Sequence, residues 1–190
     1  MVVILGLGNP GAAYRATRHN AGAMAVRRLA ETLGVSLDQT IGAARVGEGR
    51  VGRRPLVLGI PRTFMNVSGA AAQAVLAHWP VPLGSFLVVC DDVALPFGTL
   101  RLRPAGSDGG HRGLQAIQAA VGSTGFPRLR VGVGRDPRPK ALEAFVLAPF
   151  APEERRRLPA VLEAAAAACI SWVRDGVEAT MNRYNRKVIE

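Results

Sequence analysis

The sequence predicts an α/β fold: a single domain of three layers, α/β/α, with helices on both faces of a mixed, mostly parallel central sheet. Three observations support this fold class. Apolar runs of strand length alternate along the chain with segments in which apolar residues recur at helical spacing. The 190 residues suffice for one substantial core but are short for two. The sequence has no internal repeat and no interior linker, so we treat residues 1–190 as one domain.

The predicted strands and helices follow one another in the order expected of such a protein. Strands are predicted over residues 1–5, 43–46, 55–60, 86–90, 98–103 and 128–134. Helices are predicted over residues 21–33, 70–79, 114–121, 153–175 and 177–184. The second and third strands are expected to form an antiparallel pair, joined by a Gly-rich connection over residues 47–54. Asn20 is the expected N-cap of the first helix, and Gly34 ends that helix.

The chain carries a large positive charge, with 24 basic and 14 acidic residues and a formal charge of +10. Such an excess favours a polyanionic partner, most simply a nucleic acid. Almost all of the basic residues are arginines, which fork onto phosphates and stack on bases, as RNA binding requires. A generally basic proteome, genome composition or heat adaptation would produce the same bias.

The location of the protein is also constrained by the sequence. No apolar run approaches the roughly 20 residues that cross a bilayer. The N-terminus enters a strand directly, without the basic region and cleavage site of a signal peptide. Cys90 and Cys169 lack metal-ligand spacing and are expected to be buried hydrophobes. We therefore expect a cytoplasmic enzyme or binding protein with no membrane segment.

The first loop contains three glycines, Gly6, Gly8 and Gly11, whose spacing matches the GxGxxG motif of dinucleotide-binding proteins. Pro10 interrupts the pattern, and the helix is expected to begin only after Asn20. In this fingerprint an acidic residue about 20 positions further on ends a second strand. Here that residue, Glu31, falls within a predicted helix instead. A nucleotide-dependent oxidoreductase is therefore a weak hypothesis.

Several polar residues are predicted to converge at one edge of the sheet. Asn9 and Asp91 follow apolar strands, Asn66 precedes a helix, and His19 and His111 lie in loops near the same edge. A carboxylate beside an imidazole is the arrangement of a general base, because the carboxylate fixes the tautomer and supports the imidazolium. The two asparagine amides offer donors for a carbonyl, and a backbone N–H near Asn66 offers one for a developing oxyanion.

Each of these residues also has a purely structural interpretation. His19 by itself is equally well explained as a hydrogen-bonded loop histidine, and Asp91 as a cap or ion-pair residue. Asn9 and Asn66, taken singly, fit turn or capping roles. No serine or cysteine lies in a nucleophile elbow, so water is the expected nucleophile.

Five sequence blocks identify a known family. They are GLGNPGxxYxxTRHNxG at residues 6–22, TFMNxSG at 63–69, DDxxLPxG at 91–98, GGHxG at 109–113 and FxRLRxGxG at 126–134. In this order and combination, the chain resembles the bacterial-type peptidyl-tRNA hydrolase family. The C-terminal helix matches less well, although residues 181–185 resemble the family's ending.

The resemblance implies a monomeric esterase that needs no metal or cofactor and cleaves the ester between a peptide and the terminal ribose of tRNA. His19 matches the family's catalytic base, Asp91 the carboxylate that keeps it basic, and Asn9 the residue that distinguishes peptidyl- from aminoacyl-tRNA. The remaining residues that stand at substrate-binding or tRNA-binding positions of the family are Tyr14, Phe64, Met65, Asn66, Arg103, His111, Arg112 and Arg130. Arg103 and Arg130 fall where the family places basic residues that clamp tRNA phosphates.

Two residues depart from the family pattern. Arg112 stands where the family commonly has asparagine, and arginine cannot accept a hydrogen bond. Ala94 stands where an acidic residue is frequent. A non-catalytic RNA-binding module on the same fold is the main alternative, because fold alone does not determine function.

Overall fold

The computed structural model describes residues 1–137 and 139–189. One sheet contains β1 (Val2–Gly6), β2 (Gln39–Ile41), β3 (Ala44–Val51), β4 (Arg54–Pro61), β5 (Phe86–Pro96), β6 (Leu100–Arg103) and β7 (Arg128–Gly134). The helices are α1 (Ala21–Leu33), α2 (Ser68–His78), α3 (Arg112–Val121), α4 (Leu142–Val146), α5 (Pro152–Asp175) and α6 (Val177–Tyr184).

The sheet is mixed, as the sequence predicted. Its seven strands lie in the order β2-β3-β4-β1-β5-β7-β6. The four central strands, β4, β1, β5 and β7, run parallel, while β2, β3 and β6 extend the sheet through antiparallel pairing. The fold class is therefore confirmed, and the carboxyl ends of the central strands meet at one edge, where side chains from separate parts of the chain converge.

Two apolar clusters hold the helices on the two faces of this sheet. Because side chains alternate along a strand, Val2 and Ile4 of β1 pack with α1 and α5, whereas Val3 and Leu5 pack with α2 and α3. Both clusters consist mainly of alanine, valine and leucine. Cys90 and Cys169 are buried in these clusters as free thiols, and burial raises the pKa of Cys169 to about 12.

The predicted antiparallel pair of β3 and β4 is present, but residues 47–51 of the Gly-rich segment were wrongly predicted to be part of the connection. The structure instead continues β3 to Val51 and turns to β4 at residues 52–53. The glycine at position 47 lies against the Ser36 carbonyl, which a β-carbon would overlap, so close backbone approach explains this glycine in mid-strand. The short edge strand β2 was not predicted from the sequence.

Helix α1 lies unusually close to the central strands. A β-carbon on Gly22 would overlap the carbonyl of Val89 in β5, and one on Gly6 would collide with Val26 of α1. The Gly6–Gly8–Gly11 pattern therefore precedes a closely packed helix that begins only at Ala21, and the polar loop between them projects over the edge of the sheet. Within the described residues, no helix combines the length and apolarity needed to cross a membrane.

Candidate active site

An open cavity of about 540 Å³ lies at the carboxyl edge of β1 and β5. Ten of the eleven site residues predicted from the sequence line it: Asn9, Tyr14, His19, Phe64, Met65, Asn66, Asp91, His111, Arg112 and Arg130. Arg103, the remaining one, lies on β6 outside the cavity wall. The fold thus brings together residues that are far apart in the sequence.

The centre of the cavity holds a hydrogen-bonded pair of His19 and Asp91. Asp91 lies on β5 and is only 2% exposed. His19 lies in a single helical turn, Arg18–Asn20, immediately before α1. Nδ1 of His19 is 2.9 Å from Oδ1 of Asp91. The carboxylate can only accept, so we infer that Nδ1 carries the proton and that Nε2 keeps its lone pair for a base.

A second imidazole binds the same carboxylate oxygen. Nε2 of His111 also lies 2.9 Å from Oδ1 of Asp91. Nδ1 of His111 accepts hydrogen bonds from the backbone N–H groups of Gly113 and Leu114 at 3.2 and 3.3 Å, at the start of α3. An acceptor at Nδ1 places the proton of the neutral ring on Nε2, which donates to Asp91. His111 therefore orients Asp91, a contact that the sequence did not predict.

The charge state of Asp91 follows from these contacts. Burial alone would raise its pKa, but the electrostatic interaction and hydrogen bond with His111, followed by those with His19, hold the pKa well below its usual range. Asp91 is therefore an anion at neutral pH. A buried anion beside an imidazole stabilises the imidazolium that forms when the ring accepts a proton.

Asn9 is held by contacts on both sides of its loop. Its side-chain Oδ1 accepts a hydrogen bond from the backbone N–H of Met65 at 2.7 Å. The Asn20 side chain donates to the Asn9 carbonyl at 2.9 Å and accepts from the Asn9 N–H at 2.8 Å. The Asn9 amide NH₂ group is thus left on the cavity side. Asn20 occupies the N-cap position of α1, as predicted, but its side chain makes no cap hydrogen bond and holds the Asn9 loop instead.

Aromatic and amide groups form one rim of the cavity. The Tyr14 and Phe64 rings meet edge to face, with centroids 6.0 Å apart. Phe64 is 55% exposed although it is a large hydrophobic residue. Met65 and Asn66 follow it in a single helical turn before α2. This rim offers a flat apolar surface beside polar groups, which suits a nucleobase or a peptide side chain.

Another part of the cavity wall is formed by α4, which the sequence did not assign to the site. Leu142, Val146 and Leu147 supply its apolar lining. The i, i+4 spacing of the first two was the available signal, but residues 141–150 were too short and mixed for a helix to be predicted. Glu143 of α4 also lines the cavity, so this segment contributes both apolar and anionic groups.

Arg18, next to His19, anchors the segment that contains α4. Its guanidinium donates to the Pro149 carbonyl at 2.8 Å and to the Glu154 carboxylate at 2.6 Å, and lies 4.2 Å from the centroid of the Phe145 ring. Arg18 is buried, so these contacts form in a site of low dielectric. The position of α4 is therefore linked directly to the turn that carries His19.

Arg112 forms an ion pair across the cavity mouth. Its guanidinium nitrogens lie 3.1 and 3.4 Å from the two carboxylate oxygens of Glu143. Both side chains are more than half exposed. The departure from asparagine at position 112 thus creates a forked contact between α3 and α4.

Arg128 and Arg130 both hold the loop between β6 and α3. Arg130 donates to Asp92 at 3.2 Å, and to the backbone carbonyls of Ser107 and Asp108 at 2.9 and 3.2 Å. Arg128 is fully buried and donates to the carbonyls of residues 106, 107, 124 and 126. Asp92 also accepts a hydrogen bond from the backbone N–H of Ala94 at 2.8 Å. Ala94 is the second residue that departs from the family pattern.

His19, Asp91 and His111 also place three potential metal-ligand atoms within 4.8 Å of one another. The sequence predicted no metal, because the spacing of these residues along the chain is not that of a metal motif. Both nitrogens already lie in hydrogen bonds to Asp91. A cation would therefore have to displace the two protons that now bind Asp91.

Comparison with known proteins finds relatives over nearly the whole chain. Residues 3–190 match the family model described as peptidyl-tRNA hydrolase. A peptidyl-tRNA hydrolase of Desulforudis audaxviator is 47% identical over 185 residues, covering 97% of this chain and 93% of that protein. One of Salinibacter ruber is 43% identical, covering 97% of each. The crystal structure of peptidyl-tRNA hydrolase from Acinetobacter baumannii has a TM-score of 0.91 and 29% identity, covering all of this chain and 97% of that chain.

These matches, together with the fold, define a hydrolytic enzyme of the single-domain α/β class. Within that class, the chain belongs to the peptidyl-tRNA hydrolase family. The resemblance identified from the five sequence blocks is thereby confirmed.

Proposed function

We propose that the protein hydrolyses the ester between the C-terminal carboxyl of a peptide and the 3′-terminal ribose of tRNA, using water activated by His19 and Asp91. The observation that carries this proposal is the 2.9 Å contact between Nδ1 of His19 and Oδ1 of Asp91 at the wall of an open cavity. The products are free tRNA and an N-substituted amino acid or peptide. We further propose that the enzyme acts as a cytoplasmic monomer without a metal or cofactor.

In the proposed reaction, Nε2 of His19 accepts a proton from water as the water oxygen attacks the ester carbonyl. The bond between the carbonyl carbon and the ribose oxygen then breaks, and the imidazolium returns the proton to the leaving 3′-oxygen. Asp91 stays ionised throughout and stabilises the imidazolium. General base catalysis of this kind contributes about 10²–10⁴ in rate.

Asn9 is placed to select the substrate. The Met65 N–H occupies its side-chain oxygen, so the NH₂ group is the part available to the cavity. An amide donor binds the carbonyl of an N-acylated residue but offers nothing to the ammonium group of a free aminoacyl ester. Asn66, at the same rim, supplies a second amide.

The arginines of β6 and β7 support an RNA partner. Arg101 pairs directly with Arg130, and Arg103 with Arg128, across the two antiparallel strands. Like charges placed opposite one another destabilise a sheet, so the exposed members of the two pairs, Arg101 and Arg103, indicate a function other than stability. Arg101 and Arg103 are exposed, and the negative phosphates of tRNA complement them. This supports the predicted role of Arg103 and adds Arg101 to it.

The test is hydrolysis of an N-acetylated aminoacyl-tRNA, followed as release of the free tRNA. We expect the wild-type protein to be active and His19→Ala to be inactive, while His19→Ala binds deacylated tRNA within a few-fold of wild type. His78→Ala, at the exposed end of α2, is the matched control and should keep full activity. Turnover by His19→Ala would contradict the role of His19, and RNA binding without hydrolysis by the wild type would favour a non-catalytic module.

A further inference from the structure

A second group of arginines lies apart from those of β6 and β7, towards the other face of the sheet. Arg15 belongs to the loop that follows Asn9, Arg27 to α1 and Arg45 to β3. All three side chains are exposed. We call Arg15, Arg27 and Arg45 the α1–β3 arginine group. None of the eleven site residues predicted from the sequence belongs to it.

The sheet register places Arg45 on the same face as α1. Its neighbours Ala44 and Val46 pack towards α2, so alternation turns Arg45 to the opposite face. Its direct cross-strand partner, Ile60 of β4, packs in the cluster that contains α1. Arg45 therefore lies on the α1 side of the sheet, near the carboxyl end of β4.

The three positive charges act on one another. Partial burial, followed by the charges of Arg45 and Arg15, lowers the pKa of Arg27 below its ordinary value. Within residues 1–137 and 139–189, no carboxylate oxygen lies within 4 Å of any of the three guanidinium groups. Glu31, one helical turn beyond Arg27, pairs with Arg28 instead. The group is thus a concentrated positive surface without an internal counter-charge.

The α1–β3 arginine group is also continuous with the cavity. Arg15 directly follows Tyr14, which lines the cavity rim. In the strand order, β3 and β6 are five positions apart. At about 4.8 Å per strand, β3 and β6 lie roughly 24 Å apart across the sheet. Leu100 and Leu102 pack with α1 and α5, so Arg101 and Arg103 face the α2 and α3 side of the sheet, whereas Arg45 faces the α1 side.

We propose that the α1–β3 arginine group binds phosphates of the RNA backbone of the substrate, as a second contact in addition to the β6–β7 arginines. Contacts at both surfaces fix the RNA relative to the cavity that receives its 3′ end. Guanidinium groups suit this role because each can fork onto a phosphate. The proposal rests on the proposed function, since it assumes an RNA-linked substrate.

The test compares Arg27→Gln/Arg45→Gln with wild type and with Arg53→Gln. Arg53 is an exposed arginine in the turn between β3 and β4, at the far end of β3 from Arg45. It is the control for the loss of one charge, and it is compared with Arg27→Gln and Arg45→Gln singly as well as with the double variant. Binding of deacylated tRNA is measured over a series of salt concentrations. Hydrolysis is measured on N-acetylated aminoacyl-tRNA and on the same ester carried by a short 3′-terminal oligonucleotide. Thermal unfolding checks that each variant is folded.

We expect the double variant to bind tRNA more weakly, by about tenfold for each arginine–phosphate pair that is removed. The slope of log K against log salt concentration should become shallower by roughly one unit per pair. Arg53→Gln should match wild type, and hydrolysis of the short ester should be unchanged in every variant. Binding and salt dependence equal to those of Arg53→Gln would overturn the proposal, as would an equal loss of activity on the short ester. If the wild type hydrolyses neither ester, the proposed function fails, while the tRNA binding series still tests this surface.

Discussion

Oδ1 of Asp91 lies 2.9 Å from Nδ1 of His19, although 72 positions separate the two residues in the chain. The sheet brings them together, because β1 leads into the loop of His19 and β5 carries Asp91 on the adjacent parallel strand. The contact leaves Nε2 of His19 as the free basic atom at the cavity wall.

Replacement of Asp91 with asparagine tests the electrostatic part of this arrangement. The amide keeps the size of the side chain but removes the negative charge that stabilises the imidazolium of His19. We expect kcat for peptidyl-tRNA hydrolysis to fall about 10²-fold without being abolished, and the acid limb of the pH–rate profile to change. Steady-state kinetics from pH 5 to 9 measure both kcat and the pH–rate profile, and tRNA binding is the control. A rate and profile equal to wild type would show that Asp91 is only structural.

The same carboxylate should make stability depend on acid pH. The pKa of Asp91 is lowered in the folded protein, so its stabilisation is fully present above its unfolded pKa of about 3.9 and is lost as the pH falls below that value. We expect the free energy of unfolding of the wild type to fall more steeply below about pH 4 than that of Asp91→Asn. Urea unfolding at a series of pH values measures the difference, and parallel curves would contradict the prediction.

The ion pair of Arg112 and Glu143 should affect substrate binding more than stability. Both groups are exposed, so Glu143→Gln should change the free energy of unfolding by less than about 1 kcal/mol. The substitution releases the Arg112 guanidinium for the substrate, and we expect KM to fall while kcat stays unchanged. Arg112→Ala should raise KM. Glu163→Gln, which removes an exposed partner of Arg28, is the control, and equal KM values in all variants would remove Arg112 from the binding site.

Arg103 offers a clean test of RNA binding at β6 and β7. Arg130 also holds Asp92 and two backbone carbonyls, so Arg130→Ala should disturb the loop as well as any phosphate contact. Arg103 is exposed, and Arg103→Gln should make the slope of log K for tRNA binding against log salt concentration shallower by roughly one unit. Stability should not change. Salt titrations of tRNA binding measure this, with Arg53→Gln as the control; a salt slope equal to that of the control would count against the phosphate contact.

Arg128 should matter for stability. It is fully buried and donates to four backbone carbonyls, which would lose their partner in Arg128→Met. We expect a loss of about 2–4 kcal/mol in the free energy of unfolding. Arg103→Met, at the directly opposite and exposed position of β6, should change it by less than about 0.5 kcal/mol. Urea unfolding of the two variants compares them, and equal losses would contradict the structural role of Arg128.

Much of the fold could be predicted from local pattern. Helix α1 occupies the predicted residues 21–33 because its apolar spacing is helical and Gly34, with φ of 65°, ends it in the left-handed conformation. Strand β7 likewise occupies the predicted residues 128–134. Prediction failed at residues 47–51, because glycine in a strand resembles a loop in sequence, and only the packing of residues 35 and 36 against it explains why glycine is required.

By itself, the sequence indicated most of the polar residues that line the cavity, since short motifs and strand ends indicate where polar side chains collect. The tertiary structure decided how those residues are connected. His111 binds the same oxygen as His19, Arg112 pairs with Glu143, and Arg18 holds the segment that closes one rim. These contacts join residues from 20 to 131 positions apart. Local periodicity carries no information about such pairs, because hydrogen-bond geometry depends on how separate strands and helices pack against one another.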